Sequence, residues 1–141
     1  MKRLLVGSLL LALAFAAMYG YVVTRRDRMH RELLAQGETA LAQDNTVAAV
    51  EAFSGAIALK PNAMIGYLRR GETYRKRGDL EEAVRDLRRA YELDPTATRS
   101  LEELGDVYLA LKPPLGPRYS RAAALYRDYV RLDPASPRPS L

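Results

Sequence analysis

The stretch GETYRKRGDLEEAVRDLRRAYELDP, from Gly71 to Pro95, decides how this chain of 141 residues is read. Leu80, Ala83, Val84, Leu87, Ala90 and Tyr91 follow one another at steps of three and four, the mark of one buried stripe on an α-helix. Asp79, with Glu82 three residues on, predicts an N-cap and capping box for that helix, and Gly78 supplies the turn before it. Asn62, directly after the helix-stopping Pro61, predicts the start of the preceding helix. The pattern stands a second time in the chain. Gly37, Ala49, Phe53, Ala56 and Pro61 precede Gly71, Ala83, Leu87, Ala90 and Pro95 by 34 residues each. Small side chains (Gly71, Ala83, Ala90) stand where two antiparallel helices need close approach, and large ones (Tyr67, Tyr74, Leu87) fill the space between.

A 34-residue period carrying these residue types resembles the tetratricopeptide repeat. The resemblance implies an all-α, right-handed solenoid of stacked helix–turn–helix units that binds other proteins. It covers about residues 30–134, as two close copies and one altered copy. In the third, Gly105 and Tyr108 keep the spacing, but Pro134 follows Pro95 by 39 residues instead of 34. The surplus lies in 112–118, where Pro113, Pro114 and Pro117 remove backbone donors and predict a loop. Beyond it Ala122, Tyr126, Tyr129 and Pro134 take the places of Ala83, Leu87, Ala90 and Pro95. Six helices follow, over about 30–42, 46–59, 64–77, 80–93, 98–111 and 119–132, with no strands. The repeats then occupy about 30–63, 64–97 and 98–136, within a domain spanning about 29–134, and 135–141 reads as a disordered, proline-rich tail.

Composition removes most chemistry. The chain has no cysteine and one histidine, so disulfides, thiol catalysis and His/Cys zinc sites are excluded. None of the nine glycines sits in a phosphate-cradling pattern. His30, at the start of the first repeat, reads as exposed or capping, since a general base needs a positioned partner. Glu81/Glu82 and Glu102/Glu103 are adjacent pairs that diverge on a helix. No catalytic residues, cofactor or metal ligands are expected; the chain does not read as an enzyme.

Leu4 to Val23 is a run of 20 residues without a charge, between Lys2-Arg3 and Arg25-Arg26. At about 1.5 Å per residue it matches the roughly 30 Å hydrocarbon layer of a bilayer, which predicts a single transmembrane helix within an anchor and basic flank of residues 1–28. Tyr19 and Tyr21 suit the headgroup boundary. A cleaved secretory signal ending near Ala14-Phe15-Ala16 is the alternative, and would yield a secreted or periplasmic assembly factor. The continuation through Tyr21-Val22-Val23 favours the uncleaved anchor. Arg25, Arg26, Arg28 and Arg31 after the span lean toward repeats on the cytoplasmic side, although a short basic N-terminus also occurs on anchors whose remainder is exported. Thr24 to Leu34 holds no proline or glycine, so the span can run on into the first repeat as one helix.

The net charge of +5 is not a nucleic-acid footprint. Four cations, Lys2, Arg3, Arg25 and Arg26, precede the first acidic residue, Asp27, and reduce the surplus of the remainder to +1. The cluster Arg69, Arg70, Arg75, Lys76, Arg77, Arg85, Arg88 and Arg89 is interleaved with Glu72, Glu81, Glu82 and Asp86, as on a solvated helical face.

The resemblance places a protein- or peptide-binding groove along the first helix of each repeat. Helical spacing puts Arg31, Leu34, Glu38 and Leu41, then Ile65, Leu68, Glu72 and Arg75, then Arg99, Glu102, Asp106 and Leu109 on that lining. A sub-class of the family grips chaperone C-terminal carboxylates with paired lysine and asparagine. The corresponding first-repeat positions are Leu34 and Glu38, and only Arg99 keeps a cation, which argues against that ligand. Leu34, Leu41 and Leu68 serve equally well as ordinary helix packing. With no polar capping helix after Pro134, Leu125, Tyr126, Tyr129 and Val130 form a candidate terminal patch for a partner or a second copy of the chain. The function expected is a membrane-tethered scaffold that recruits or organises a partner, with self-association as a further possibility.

Overall fold

A computed structural model describes residues 2–111 with Ala124 and Arg131, and side chains from Leu10 on except that of Leu109. Five helices follow in order: α1 (Lys2–Ala42), α2 (Thr46–Leu59), α3 (Met64–Arg77), α4 (Leu80–Leu93) and α5 (Thr98–Ala110). No strand occurs among the described residues. α2 to α5 occupy the ranges set by the apolar spacing, within a residue at the end of α5. The loop over 112–118, the expected sixth helix over 119–132 and the tail over 135–141 lie outside the described residues, Ala124 and Arg131 apart.

α1 is a single helix of 41 residues, joining the apolar N-terminal run to the first repeat without a break. No proline interrupts it. The expected transmembrane helix is not recovered: with side chains described from Leu10, no helix is long and apolar enough to cross a membrane. Leu10–Val23 is 14 residues, about 21 Å of helix, short of a hydrocarbon layer of roughly 30 Å.

The turns depart from the expected capping. Asn45 caps α2 by accepting a hydrogen bond from the Ala48 amide at 3.1 Å. The residue before it, Asp44, sits in the left-handed region with φ 58°. α3 begins after Ala63, which makes no side-chain cap, so Asn62 does not take that role. Asp79 caps α4 only by backbone position, because its carboxylate accepts from Arg77, while Glu82 pairs with Arg85 at 2.7 Å. A nearby guanidinium outcompetes the amide for each carboxylate. Gly78 does supply the turn, at φ 88°. There the left-handed conformation suits glycine and lets the Asp79 amide bond back to the Tyr74 carbonyl at 2.9 Å.

Each helix pair closes on a small-to-large contact. A Cβ on Gly71 would lie 2.8 Å from Leu87 Cγ, and one on Gly37 would run into the Phe53 ring. Phe53 and Leu87 are fully buried, worth about 1.5–3 kcal/mol each in apolar burial. Two core clusters result. One joins Leu68, Ala83, Leu87, Ala90, Leu104, Val107, Tyr108 and Leu111 across α3, α4 and α5. The other joins Ala40, Ala49 and Phe53 between α1 and α2.

Candidate binding face

α1, α3 and α5 are the first helices of the successive units, and charged side chains tie them edge to edge. Arg69 on α3 pairs with Glu38 on α1 at 2.7 Å and with Glu72 at 2.8 Å. Glu72 in turn takes Arg99 of α5 at 2.9 Å. Arg99 also reaches Glu103 at 2.8 Å, and Arg75 reaches the same carboxylate from α3 at 2.7 Å. Acid and base alternate along the whole line: Glu38, Arg69, Glu72, Arg99, Glu103, Arg75. The exposed Arg69–Glu38 pair contributes about 0–1 kcal/mol, whereas the pairs on Glu72 and Glu103 have a sheltered carboxylate.

Its two ends differ. Arg69 and Glu38 are 37% and 43% exposed, whereas the Glu103 side chain is 4% exposed. Burial pushes the Glu103 carboxyl above its ordinary range, with Arg75 pulling it back and Glu72 adding to the rise. Arg99 is held firmly protonated, chiefly by its bond to Glu72. Among the described residues, the partner of the buried Glu103 Oε2 is ionic, Arg75 Nε at 2.7 Å, with no directed hydrogen bond.

The expected lining residues divide by role. Glu38, Glu72, Arg75 and Arg99 belong to the ladder. Glu102 approaches Arg99 at 3.9 Å, and Asp106 is half-buried on the same helix. Arg31 is exposed on α1. Leu68 is 5% exposed inside the core, Ile65 packs against that core, and Leu34 and Leu41 pack on the Ala40–Phe53 cluster. The side chain of Leu109, and the terminal patch Leu125, Tyr126, Tyr129 and Val130, lie outside the described residues.

Most of the basic cluster of the middle unit is engaged within the chain. Lys76 pairs with Asp44 at 2.6 Å, Arg89 with Glu92 at 3.3 Å, and Arg88 donates to the Tyr108 hydroxyl at 2.8 Å. Arg70 is a structural pin. Its guanidinium takes both Asp86 oxygens, at 2.6 and 2.9 Å, and donates to Ser54 of α2 at 2.9 Å, with the Tyr67 and Tyr74 rings 6.0 Å away. His30 is not the exposed or capping residue expected. It is 6% exposed because the end of α2 packs over α1 there, with Lys60 paired to Asp27 at 2.7 Å.

The model of the tetratricopeptide repeat family matches residues 31–98 and 68–137. The chain belongs to the tetratricopeptide repeat family. Its five described helices form the all-helical solenoid of that family, a protein-interaction domain. Among curated relatives, small glutamine-rich tetratricopeptide repeat-containing protein 2 of Mycosarcoma maydis is 28% identical over 105 residues, covering 74% of this chain and 28% of that protein. Hsp70-Hsp90 organizing protein 3 of Arabidopsis thaliana is 31% identical over 86 residues, covering 61% of this chain and 14% of that protein. The chain thus spans less than a third of the length of either relative. The second domain of human RPAP3, solved with the HSP70 peptide SGPTIEEVD, superposes with a TM-score of 0.73 at 18% identity over 80% of this chain and 90% of that one. At that identity the likeness is one of fold.

The cross-helix pairs escaped sequence reading. Glu38–Arg69 and Glu72–Arg99 join residues 31 and 27 positions apart, and no helical spacing signals them. The 34-residue period was the available clue, since it brings first helices side by side.

Proposed function

We propose that this chain is a membrane-tethered scaffold that presents its α1–α3–α5 face to a segment of a partner protein, with no chemistry of its own. The observation that carries the reading is the continuous charged face across three successive first helices, on a fold whose relatives include peptide-binding domains. Hsp70–Hsp90 organisation is the role named for one relative. Here Arg69, Arg75 and Arg99 on this face are already paired to the chain's own carboxylates and Arg31 is the lining cation outside the ladder, which supports a partner other than a chaperone tail.

Tethering rests on α1. Leu10, Leu11, Phe15, Met18 and Tyr19 are all 61–76% exposed, apolar surface too extensive for an ordinary soluble helix. In sequence the uncharged run begins earlier, at Leu4. Because the same helix continues into the first repeat, the face would be held near the lipid, on the cytoplasmic side if Arg25, Arg26 and Arg28 obey the positive-inside tendency.

Two measurements test this. After alkaline extraction the full chain should stay with membranes, and a chain starting at Thr24 should not; release of both removes the tether. A photo-crosslinking residue at Arg31 or Glu102 should capture a partner that one at Glu81 on α4 does not. Equal capture from all three positions removes the face.

A further inference from the structure

The cations that follow the apolar run of α1 do not share one role. Arg26 is turned to the repeats, where it donates to the Leu59 carbonyl at 2.5 Å, and Asp27 beside it holds Lys60 at 2.7 Å. Arg25 and Arg28 are turned away from that junction, and both are exposed. Among the described residues neither has an ion pair or a hydrogen bond within the chain. With Tyr21, one turn earlier, they open on a cleft of about 400 Å³ completed by Thr24, Met29 and Glu32. The Thr24 hydroxyl is spent on the Gly20 carbonyl at 2.7 Å, so the donors facing outward are two guanidinia and the Tyr21 hydroxyl.

Their height along α1 is the second observation. The uncharged run ends at Val23, and Leu10, Leu11, Phe15, Met18 and Tyr19 within it are exposed. Thr24 to Arg28 covers about 7 Å of helix, equal to the layer of roughly 5–7 Å that headgroups add to each side of the hydrocarbon. Glu32, the one acid on the cleft, stands about 6 Å further along, past that layer.

Resting on the reading of α1 as the tether, we infer that Tyr21, Arg25 and Arg28 form a seat for the phosphate of an anionic phospholipid. The bilayer surface is the occupant because the apolar run delivers two unpaired arginines to the level of its phosphates. A guanidinium grips phosphate through parallel hydrogen bonds. An anionic lipid adds the attraction of its net charge, which phosphatidylcholine cancels with its own ammonium. Arg26 and Lys60 close the end of α2 onto the same stretch of α1, so the first repeat is fixed to the lipid-bound segment instead of hanging from it by a linker.

For the test, the full chain is reconstituted in equimolar phosphatidylcholine and phosphatidylglycerol and moved into a neutral detergent, and native mass spectrometry counts the lipids still attached. Phosphatidylglycerol should be retained over phosphatidylcholine at least about tenfold, from about fivefold per arginine. Arg25→Gln and Arg28→Gln should each lower the preference about fivefold, and Arg25→Lys should keep most of it. Arg26→Gln removes the same charge one residue away and should leave the preference within about twofold, since its donor already serves Leu59. Circular dichroism checks the fold; should Arg26→Gln loosen the repeats, Arg85→Gln, 72% exposed on α4, supplies the charge control. Equal retention of the two lipids overturns the inference and leaves the tether standing. A preference untouched by the Arg25→Gln and Arg28→Gln variants, or lost equally with the control, also overturns it. A chain that does not stay in the reconstituted membranes removes the tether, and the seat with it.

Discussion

Gly71 faces Leu87 as Gly37 faces Phe53, and in both places the missing side chain is the contact. A Cβ at Gly71 would stand 2.8 Å from Leu87 Cγ and 3.3 Å from its backbone nitrogen, so a rotamer change alone cannot clear it. Alanine gains about 1 kcal/mol in helix propensity but incurs about 1–3 kcal/mol of overpacking, because Leu87 is fully buried and its neighbours cannot yield. Gly71→Ala should therefore lower the urea midpoint, while Gly20→Ala, where nothing lies within 4 Å, should not. A neutral or stabilised Gly71→Ala would show that helix separation is not set by this contact. These packing partners were legible in the sequence, since a glycine and a large residue recurred together at the repeat period. The roles of Asn62 and Asp79 were not, because α3 takes its N-cap one residue later, at Ala63, and Arg77 claims the Asp79 carboxylate.

At the level of elements, the end of α2 packed on α1 makes the stability of the chain depend on pH. Arg26 donates to the Leu59 carbonyl at 2.5 Å and Lys60 pairs with Asp27, closing the end of α2 over His30. Its Nε2 finds no hydrogen-bond partner among the described residues. Burial, reinforced by Lys60, lowers the His30 value below its ordinary 6.5, while Asp27 pulls weakly the other way. The folded chain thus prefers neutral histidine. The unfolded chain takes up the proton first, so the stabilising contribution is complete above about pH 6.5 and is lost as pH falls toward the lower folded value. Glu103 acts in the opposite sense, its raised value favouring the folded state as pH falls through the range above 4.5. Comparison with a His30 variant cancels that term. The thermal midpoint of the unaltered chain should drop more between pH 7.5 and 5.5 than that of His30→Gln, and equal drops would place the titration elsewhere. Sequence alone did not reveal this burial: α1's period marks a face, but not that Lys60, 30 positions away, folds over it.

For the molecule as a whole, a solenoid is held together by the seams between units, and Arg70 crosses the first of them. It reaches back to Ser54 in the first unit while binding Asp86 of its own through two hydrogen bonds. With side chains 21% and 10% exposed, the Arg70–Asp86 pair is too sheltered for water to replace a lost partner, and Asp86 holds Arg70 more firmly protonated than usual. Arg70→Leu should strand the Asp86 carboxylate and cost about 2–3 kcal/mol. Removing the stranded charge as well should restore much of it, because paired apolar residues often equal a sheltered ion pair. In urea unfolding, Arg70→Leu should lower the midpoint sharply and Arg70→Leu with Asp86→Leu less so. If the double variant were as unstable as the sum of the Arg70→Leu and Asp86→Leu singles, the pair would be contributing nothing as a pair, and the seam would rest on its other contacts, among them Gly66 against Ile57 and the Arg69–Glu38 and Lys76–Asp44 pairs. A change of slope in Arg70→Leu would carry separate information. Nearest-neighbour coupling is what makes a repeat array unfold as one, so a weakened seam lets the α1–α2 unit open independently of α3–α5 and broadens the transition.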